Sequence, residues 1–391
     1  MLPGLAFFYA GLVRSKNVIG TMAHSFVALA IVGLVWILWG YSLAFGPDLG
    51  GFIGNLTWFG LNNVSAFETG PYSDSIPHMA FMIFQAKFAI ITPALIAGAF
   101  AERIKFGTFV IFLVLWSTIV YSPLAHWIWG GGWLGDWGGL DFAGGAVVHI
   151  SSGVAALCAA LMFGRRQGYG QDDMSPHNVP YVIFGAALLW FGWFGFNAGS
   201  ALSASGTAAS AFVVTHTAAA MAAVVWAGLD YFFTGRVSVV GLATGAVAGL
   251  ATITPAAGFV GPMPALIIGL AAGAICYGAV RFKTRMKLDD SLDVWAIHGV
   301  GGTIGMLAVG LFFGLGMGLD DVNSALGSDL SYWGQIVRQL GTIGVAWAWS
   351  FVATMAILVV LQRTIGLRVS IEDEKAGLDT SQHGETAYER A

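Results

Sequence analysis

The chain has 391 residues, of which 57% are hydrophobic and only 10% charged, with a net charge of −4 and a mean hydropathy of +0.76. Soluble domains carry about 25% charged residues, so these values exclude a water-soluble fold and place the chain in a lipid bilayer, with no basic surface to take nucleic acid. The 55 glycines follow no strict period, and the two cysteines, Cys158 and Cys276, lie inside apolar runs, which excludes a collagen, a disulfide framework and a cysteine-rich metal site.

Residues 1–13, "MLPGLAFFYAGLV", come first. At 1.5 Å per residue they reach about 20 Å, whereas a crossing helix needs about 20 apolar residues. The fragment reads as the second half of a crossing helix, from a truncated chain or a start assigned too late. It lacks the basic leading region of a signal peptide. Ten full-length spans follow, at about 19–45, 77–101, 106–129, 142–164, 180–202, 206–233, 237–256, 261–281, 292–315 and 332–364.

The connections alternate in charge. Those containing 14–18, 102–105, 165–179, 234–236 and 281–290, with the tail from Arg363, hold 15 of the 17 Lys and Arg, and the intervening loops 46–76, 130–141, 203–205, 257–260 and 316–331 hold none. The positive-inside rule makes the first group and the tail cytoplasmic. Counting the fragment, eleven helices put the N-terminus outside. Lys87 and Arg338 are the exceptions: Arg338 is near enough to a helix end to snorkel, and Lys87, turned about 100° from its neighbour Phe88, is expected to face another helix or a subunit interface, paired with carbonyls or a carboxylate.

Two short patterns recur. Ile91-Thr-Pro-Ala94 in the third helix returns as Ile253-Thr-Pro-Ala256 in the eighth, and His149 with Gly153 in the fifth returns as His298 with Gly302 in the tenth. Both offsets are five helices. An odd offset makes the copies cross the bilayer in opposite directions, the inverted repeat of many transporters, whose working site lies near the midplane between the halves.

Within the spans few groups ionise. Asp141 opens the fifth helix and reads either as an N-cap carboxylate or as a cation contact. His149 lies about 12 Å further down that helix, and the repeat carries His298 toward the midplane from the opposite side. A lone histidine in a membrane is often only a polar link between helices, but two at equivalent positions with almost no other charge at that depth point to function. Neutral imidazoles donate from one nitrogen and accept at the other, so a pair can share a proton along a path for small polar molecules. Metal or haem ligation is the competing use. Phe84 and Phe88 share a helix face, Trp129 ends the fourth helix, and the sixth carries Trp190-Phe-Gly-Trp193-Phe-Gly-Phe196-Asn-Ala-Gly-Ser200. Such rings are usually core or interfacial belt, yet ring faces also hold a weakly hydrated cation.

The segments "DFAGGAVVHISSG" (141–153), "GWFGFNAGSA" (192–201), "FQAKFAIITPALIAGAFAERI" (84–104) and "DVWAIHGVGG" (293–302) resemble the signatures of the ammonium transporter (Amt/Mep/Rh) family, over nearly the whole chain. The resemblance implies an all-α membrane protein of the cell membrane: eleven transmembrane helices, the first shortened, as two inverted five-helix repeats plus a long last helix, assembled as a homotrimer with one pore per subunit. The transmembrane domain would cover 1–365, with halves at about 1–164 and 180–315 and the last helix at 332–364, followed by the cytoplasmic tail 366–391. Carried over, Phe84, Phe88, Trp129 and Ser200 would form the external recruitment site for ammonium, supported by Asp141. Phe88 and Phe196 would stack as the gate, and His149, His298 and Trp193 would line the pore. No enzyme activity, cofactor or metal is implied. The expected mechanism captures ammonium, deprotonates it and conducts ammonia while the proton passes the histidine pair. A neutral ammonia channel of the Rh type and an ammonium sensor acting through the tail are the alternatives. The tail is either a disordered terminus or, by the resemblance, a segment packed on the trimer's inner face that couples the pores to a signal-transduction protein of the PII class.

Overall fold

A computed structural model describes residues 1–316 and 332–388. Most of loop 316–331 and the last three residues of the tail therefore lie outside the described residues. The short α1 (Leu2–Leu12) is followed by ten helices long and apolar enough to cross a membrane: α2 (Ser15–Phe45), α3 (His78–Ile96), α4 (Phe106–Asp136), α5 (Gly145–Phe163), α6 (Val179–Ala201), α7 (Gly206–Thr234), α8 (Val239–Ala256), α9 (Pro262–Arg285), α10 (Trp295–Phe312) and α11 (Tyr332–Thr364). Apolar surroundings offer backbone amides no water, so each span satisfies its own by helix formation. Where helices end, polar side chains take over: Asn178, Ser205 and Ser238 accept the Tyr181, Ala208 and Gly241 amides at the starts of α6, α7 and α8.

Loop 46–76 folds into two small antiparallel hairpins, β1 (Asp48–Leu49) with β2 (Ile53–Gly54) and β3 (Thr69–Gly70) with β4 (Ser73–Pro77). Side chains tie them to the helix ends. The buried His126 of α4 bridges Ala44 O at 2.9 Å and Asp48 Oδ1 at 2.8 Å, and the Tyr72 hydroxyl donates to Phe45 O at 2.7 Å.

Small residues set how closely the helices approach. The α1 helix lies along α6, where a Cβ on Gly4 would meet Leu188 and Leu189 at 2.9 Å. A close crossing joins α5 to α10: Gly153 sits on the backbone of Gly299 and His298, and Gly302 sits against Gly145 O and the Cβ of His149. The contacts are reciprocal, each glycine four residues past one histidine and packed beside the other.

At the helix ends where most of the Lys and Arg gather, the charges pair off. Glu102, wholly buried, receives Arg14 at 2.7 Å and Arg166 at 3.4 Å, and Arg166 also pairs with Asp289 at 2.9 Å. Burial pushes the Glu102 carboxyl up, but Arg166 and Arg14 outweigh it and hold the carboxyl below its ordinary value. A depressed folded pKa means stability that is present above the unfolded value and lost as pH falls through the folded one. The melting temperature in detergent is thus expected to hold through neutral pH and to fall below about pH 4.3, and Glu102→Gln should flatten the part of that fall due to Glu102. Equal acid slopes for both proteins would show that this network does not set acid stability.

The tail corrects one reading. It is not a disordered terminus through residue 388: α12 (Ile371–Ala376) and the turn Asp379–His383 pack against the Lys- and Arg-rich helix ends of the same chain. The Leu378 amide donates to Asn17 Oδ1 and the Gly20 amide to Asp379 Oδ1, both at 2.8 Å, while Glu374 accepts from Gln167 N at 2.6 Å and pairs with Arg368. The Lys87 side chain is exposed on the flank of the bundle, with no carbonyl or carboxylate partner among the described residues of its own chain, because the helix turn that buries Phe88 carries its neighbour outward; of the two expected surroundings, another helix of the same chain is thus set aside.

Candidate functional site

Two cavities face each other through the bundle. The one on the side of the hairpin loop, here termed the outer cavity, about 290 Å³, is walled by rings from α2, α3, α4 and the hairpin loop, among them Phe45, Tyr72, Phe84, Phe88 and Trp129, together with Gln85 and Ser200. Ser200 Oγ donates to Phe196 O at 2.9 Å, which leaves its lone pairs to the cavity. Phe84 stands edge-on to Phe88 at 4.9 Å, and Phe88 in turn meets Trp129 at 5.8 Å. At the floor, Phe88 and Phe196 stack with centroids 4.2 Å apart and planes 27° apart. That stack closes the cavity.

Beneath it lies a gap of about 20 Å³ whose lining includes Val148, His149, Leu189, Trp193, Phe196 and His298. A space above about 10–15 Å³ admits one water-sized molecule, so the gap suits one small neutral guest. His149 and His298 meet Nδ1 to Nδ1 at 3.1 Å, their rings 5.1 Å apart and 19° from parallel. One of the two nitrogens donates and the other accepts, so the pair holds one proton between its rings. His149 Nε2 has no protein partner. Trp193 stacks on His149 at 5.5 Å and is held by its indole N–H on Thr254 Oγ1 at 2.9 Å.

Both histidines sit on π-helical turns, Gly145–Ile150 and Trp295–Val300, that open α5 and α10. Such widened turns displace side chains from the regular α positions and are frequent at functional sites. Direct nitrogen contact also disposes of a haem between the pair, since two metal–nitrogen bonds of about 2 Å each exceed the 3.1 Å observed.

Asp141 stands behind the outer cavity and is 5% exposed. Its Oδ1 accepts the amides of Gly144 and Gly145 at 2.8 and 2.6 Å, and its Oδ2 those of Ala146 and Val147 at 2.7 and 3.1 Å. Its backbone carbonyl receives the Trp129 indole at 2.7 Å. The residue thus caps α5 and positions a cavity ring.

The inner cavity, about 230 Å³, opens below His298 and is lined by Tyr9, Ser291 and Asp293 among others. Lys283 pairs with Asp293.

The sequence matches the Ammonium Transporter Family over residues 1–388. The chain belongs to that family. The ammonium transporter of Bacillus subtilis (strain 168) is 48% identical over 393 residues, covering 100% of this chain and 95% of that protein. Ammonium transporter Amt1 of Archaeoglobus fulgidus is 46% identical over 388 residues, covering 99% and 95%. The crystal structure of Saccharomyces cerevisiae Mep2 superposes with a TM-score of 0.88 at 40% identity, covering 100% of this chain and 88% of that one. A solved Sensor Amt Protein gives a TM-score of 0.89 at 33% identity, covering 98% and 94%.

All the ammonium-transporter positions carried over from the sequence come together here: Phe84, Phe88, Trp129 and Ser200 around the outer cavity, Phe196 against Phe88, and His149, His298 and Trp193 beneath. Asp141 supports this wall without entering it. Asp290 escaped the sequence reading. It precedes His298 by eight residues, as Asp141 precedes His149, and its Oδ2 accepts the Trp295 amide at 2.7 Å at the start of α10. The shared spacing of eight was the available signal. Burial pushes the Asp290 carboxyl up to about 6, with Lys283 pulling the other way.

Proposed function

We propose that the protein carries ammonium across the cell membrane by holding the cation in the outer cavity, separating it from its proton at the Phe88–Phe196 stack and passing ammonia beside His149 and His298. The observation that carries this is the histidine contact itself: a protonatable pair, 3.1 Å apart, at a narrow gap lined mostly by apolar side chains between two larger cavities. A bare ion in that gap is expensive, at least about 3 kcal/mol on the lower estimates for a charge at mid-bilayer. Neutral ammonia avoids this cost, and the shared proton has a route between the rings. Potassium, which has no proton to give up, is excluded by the same gap.

Eleven crossings fit this reading, with α1 as the shortened first, the N-terminus outside, the tail in the cytoplasm and the halves inverted about the histidine pair. Exposed apolar side chains along α6 and α7, such as Phe191 and Phe212, fit a homotrimer, and the ordered tail offers the inner face that a PII-class protein would read. A sensing role is the second reading, favoured by the likeness to the Sensor Amt Protein.

Purified protein in liposomes on a solid-supported membrane, together with methylammonium uptake in cells lacking their own transporters, tests both. Wild type should give an ammonium-dependent current. His149→Ala, His298→Ala and Phe88→Ala should each cut that current about ten-fold, near 1.4 kcal/mol in barrier, or admit potassium. Uptake without current would replace the mechanism with a neutral channel. Binding without uptake or current would favour the sensor, and three variants identical to wild type in rate and selectivity would remove the histidine and gate roles.

A further inference from the structure

One polar side chain of the outer cavity has no task in this pathway. Gln85 is 8% exposed and shares the cavity wall with Phe81, Phe84 and Phe88. In chain order Phe81, Phe84, Gln85 and Phe88 fall at i, i+3, i+4 and i+7, so one stripe of α3 faces the cavity. Gln85 Oε1 is buried with no hydrogen-bond partner, and none of the described residues meets the amide nitrogen. An amide offers two donor hydrogens and two acceptor lone pairs. Removing such a group from water without partners costs free energy that the protein here does not return. As it stands this oxygen is shut away from the cavity; exchanged with the amide nitrogen, it would meet what fills the cavity and find a partner there.

The other groups around that space leave a matching vacancy in chemistry. Ring faces attract positive charge diffusely, and Ser200, having given its proton to Phe196 O, presents lone pairs alone. An ammonium ion has four N–H donors, and the directional side-chain acceptors among the described residues of the wall are two hydroxyl oxygens, those of Ser200 and of Tyr72, which donates to Phe45 O.

We propose that Gln85 is a cation-binding residue of the outer cavity, its carbonyl oxygen turned inward as an amide acceptor beside the Ser200 and Tyr72 hydroxyls. The two ends of the amide exchange by rotation about the broad terminal torsion, so the oxygen reaches the cavity without moving α3. An amide suits this place better than a carboxylate. It attracts the cation without becoming a competing proton acceptor, which leaves deprotonation to the histidine pair, and it adds no net charge that would hold the ion too tightly in a low-dielectric wall. The proposal rests on the ammonium-transport reading above.

The test is the half-saturating ammonium chloride concentration of the current in proteoliposomes. Gln85→Leu is expected to raise it about ten-fold with the maximal current kept within about two-fold, because a contact made equally at rest and in passage appears in the half-saturation alone. Gln85→Glu, of the same shape, is expected at pH 8 to lower half-saturation and to slow the maximal current. Half-saturation unchanged in both variants overturns the proposal, as does a fall in maximal current with half-saturation unmoved in Gln85→Leu, the mark of a packing role. If Gln85→Leu does not elute as a single species in detergent, the Gln85→Glu result decides alone. A wild type without current or uptake defeats the transport reading first and this proposal with it, whereas an active wild type with unshifted variants defeats only the proposal.

Discussion

Asp141→Ala will leave little folded protein, and the fraction that folds will take up ammonium at least about 100-fold more slowly, near 2.7 kcal/mol in barrier. The carboxylate satisfies four consecutive amides, from Gly144 to Val147, in a place 5% exposed. Hydrogen bonds to a charged group contribute about 1.5–3 kcal/mol each; even with relaxation, losing four should cost about 4 kcal/mol, a large share of the roughly 5–15 kcal/mol that separates folded from unfolded in ordinary domains. Transport suffers as well, because the same turn carries His149 and the Asp141 carbonyl holds Trp129. Asp141→Asn separates this account from attraction of cations by charge. Its oxygen can still serve Gly144 and Gly145, but its NH₂ group would face the Ala146 and Val147 amides, donor against donor. Melting temperature and uptake should therefore both rank wild type above Asn above Ala. If the charge alone mattered, Asn and Ala would raise half-saturation equally and melt like wild type.

The sequence made the spans readable because the bilayer imposes length and apolarity at once. The expected spans 142–164 and 261–281 overlap the observed Gly145–Phe163 and Pro262–Arg285 closely. The meeting of His149 with His298 at 3.1 Å was likewise legible, since the repeat expected from matching residues five helices apart carries both toward the midplane. Other features had no local signal. The π-helical turns under both histidines, Gly145–Ile150 and Trp295–Val300, follow from no residue spacing read within either helix. Order in the tail comes from distant partners such as Asn17 and Gly20, so its polar composition misled. The hairpins of 46–76 are too short for an alternating pattern. Gln85 was hidden between two phenylalanines, where an amide in an apolar helix draws no notice until its missing partner is seen.

The last expectation concerns the crossing that places the pair. A methyl group at Gly153 would collide with the backbone nitrogen and Cα of Gly299 and would crowd His298 C at 2.9 Å. Backbone atoms cannot rotate aside, so Gly153→Ala must part α5 from α10. Overpacking of this kind costs about 1–3 kcal/mol, and a parting of a few tenths of an ångström carries the 3.1 Å histidine contact beyond hydrogen-bond length, roughly 3.5 Å. Gly153→Ala should therefore fold with a lowered melting temperature and lose about 100-fold in uptake, a 2.7 kcal/mol effect, while Gly153→Val should give no single species in detergent. Gly302→Ala meets Gly145 O and the His149 Cβ at 2.9 Å and should lie between wild type and Gly153→Ala, because the contact is less severe. Gly278→Ala is the control: nothing lies within 4 Å of its Cβ position, so it should match wild type to within about 0.5 kcal/mol. Wild-type melting and uptake in Gly153→Ala would mean that transport does not need the histidines in contact, and the shared proton would have to be sought elsewhere along the gap.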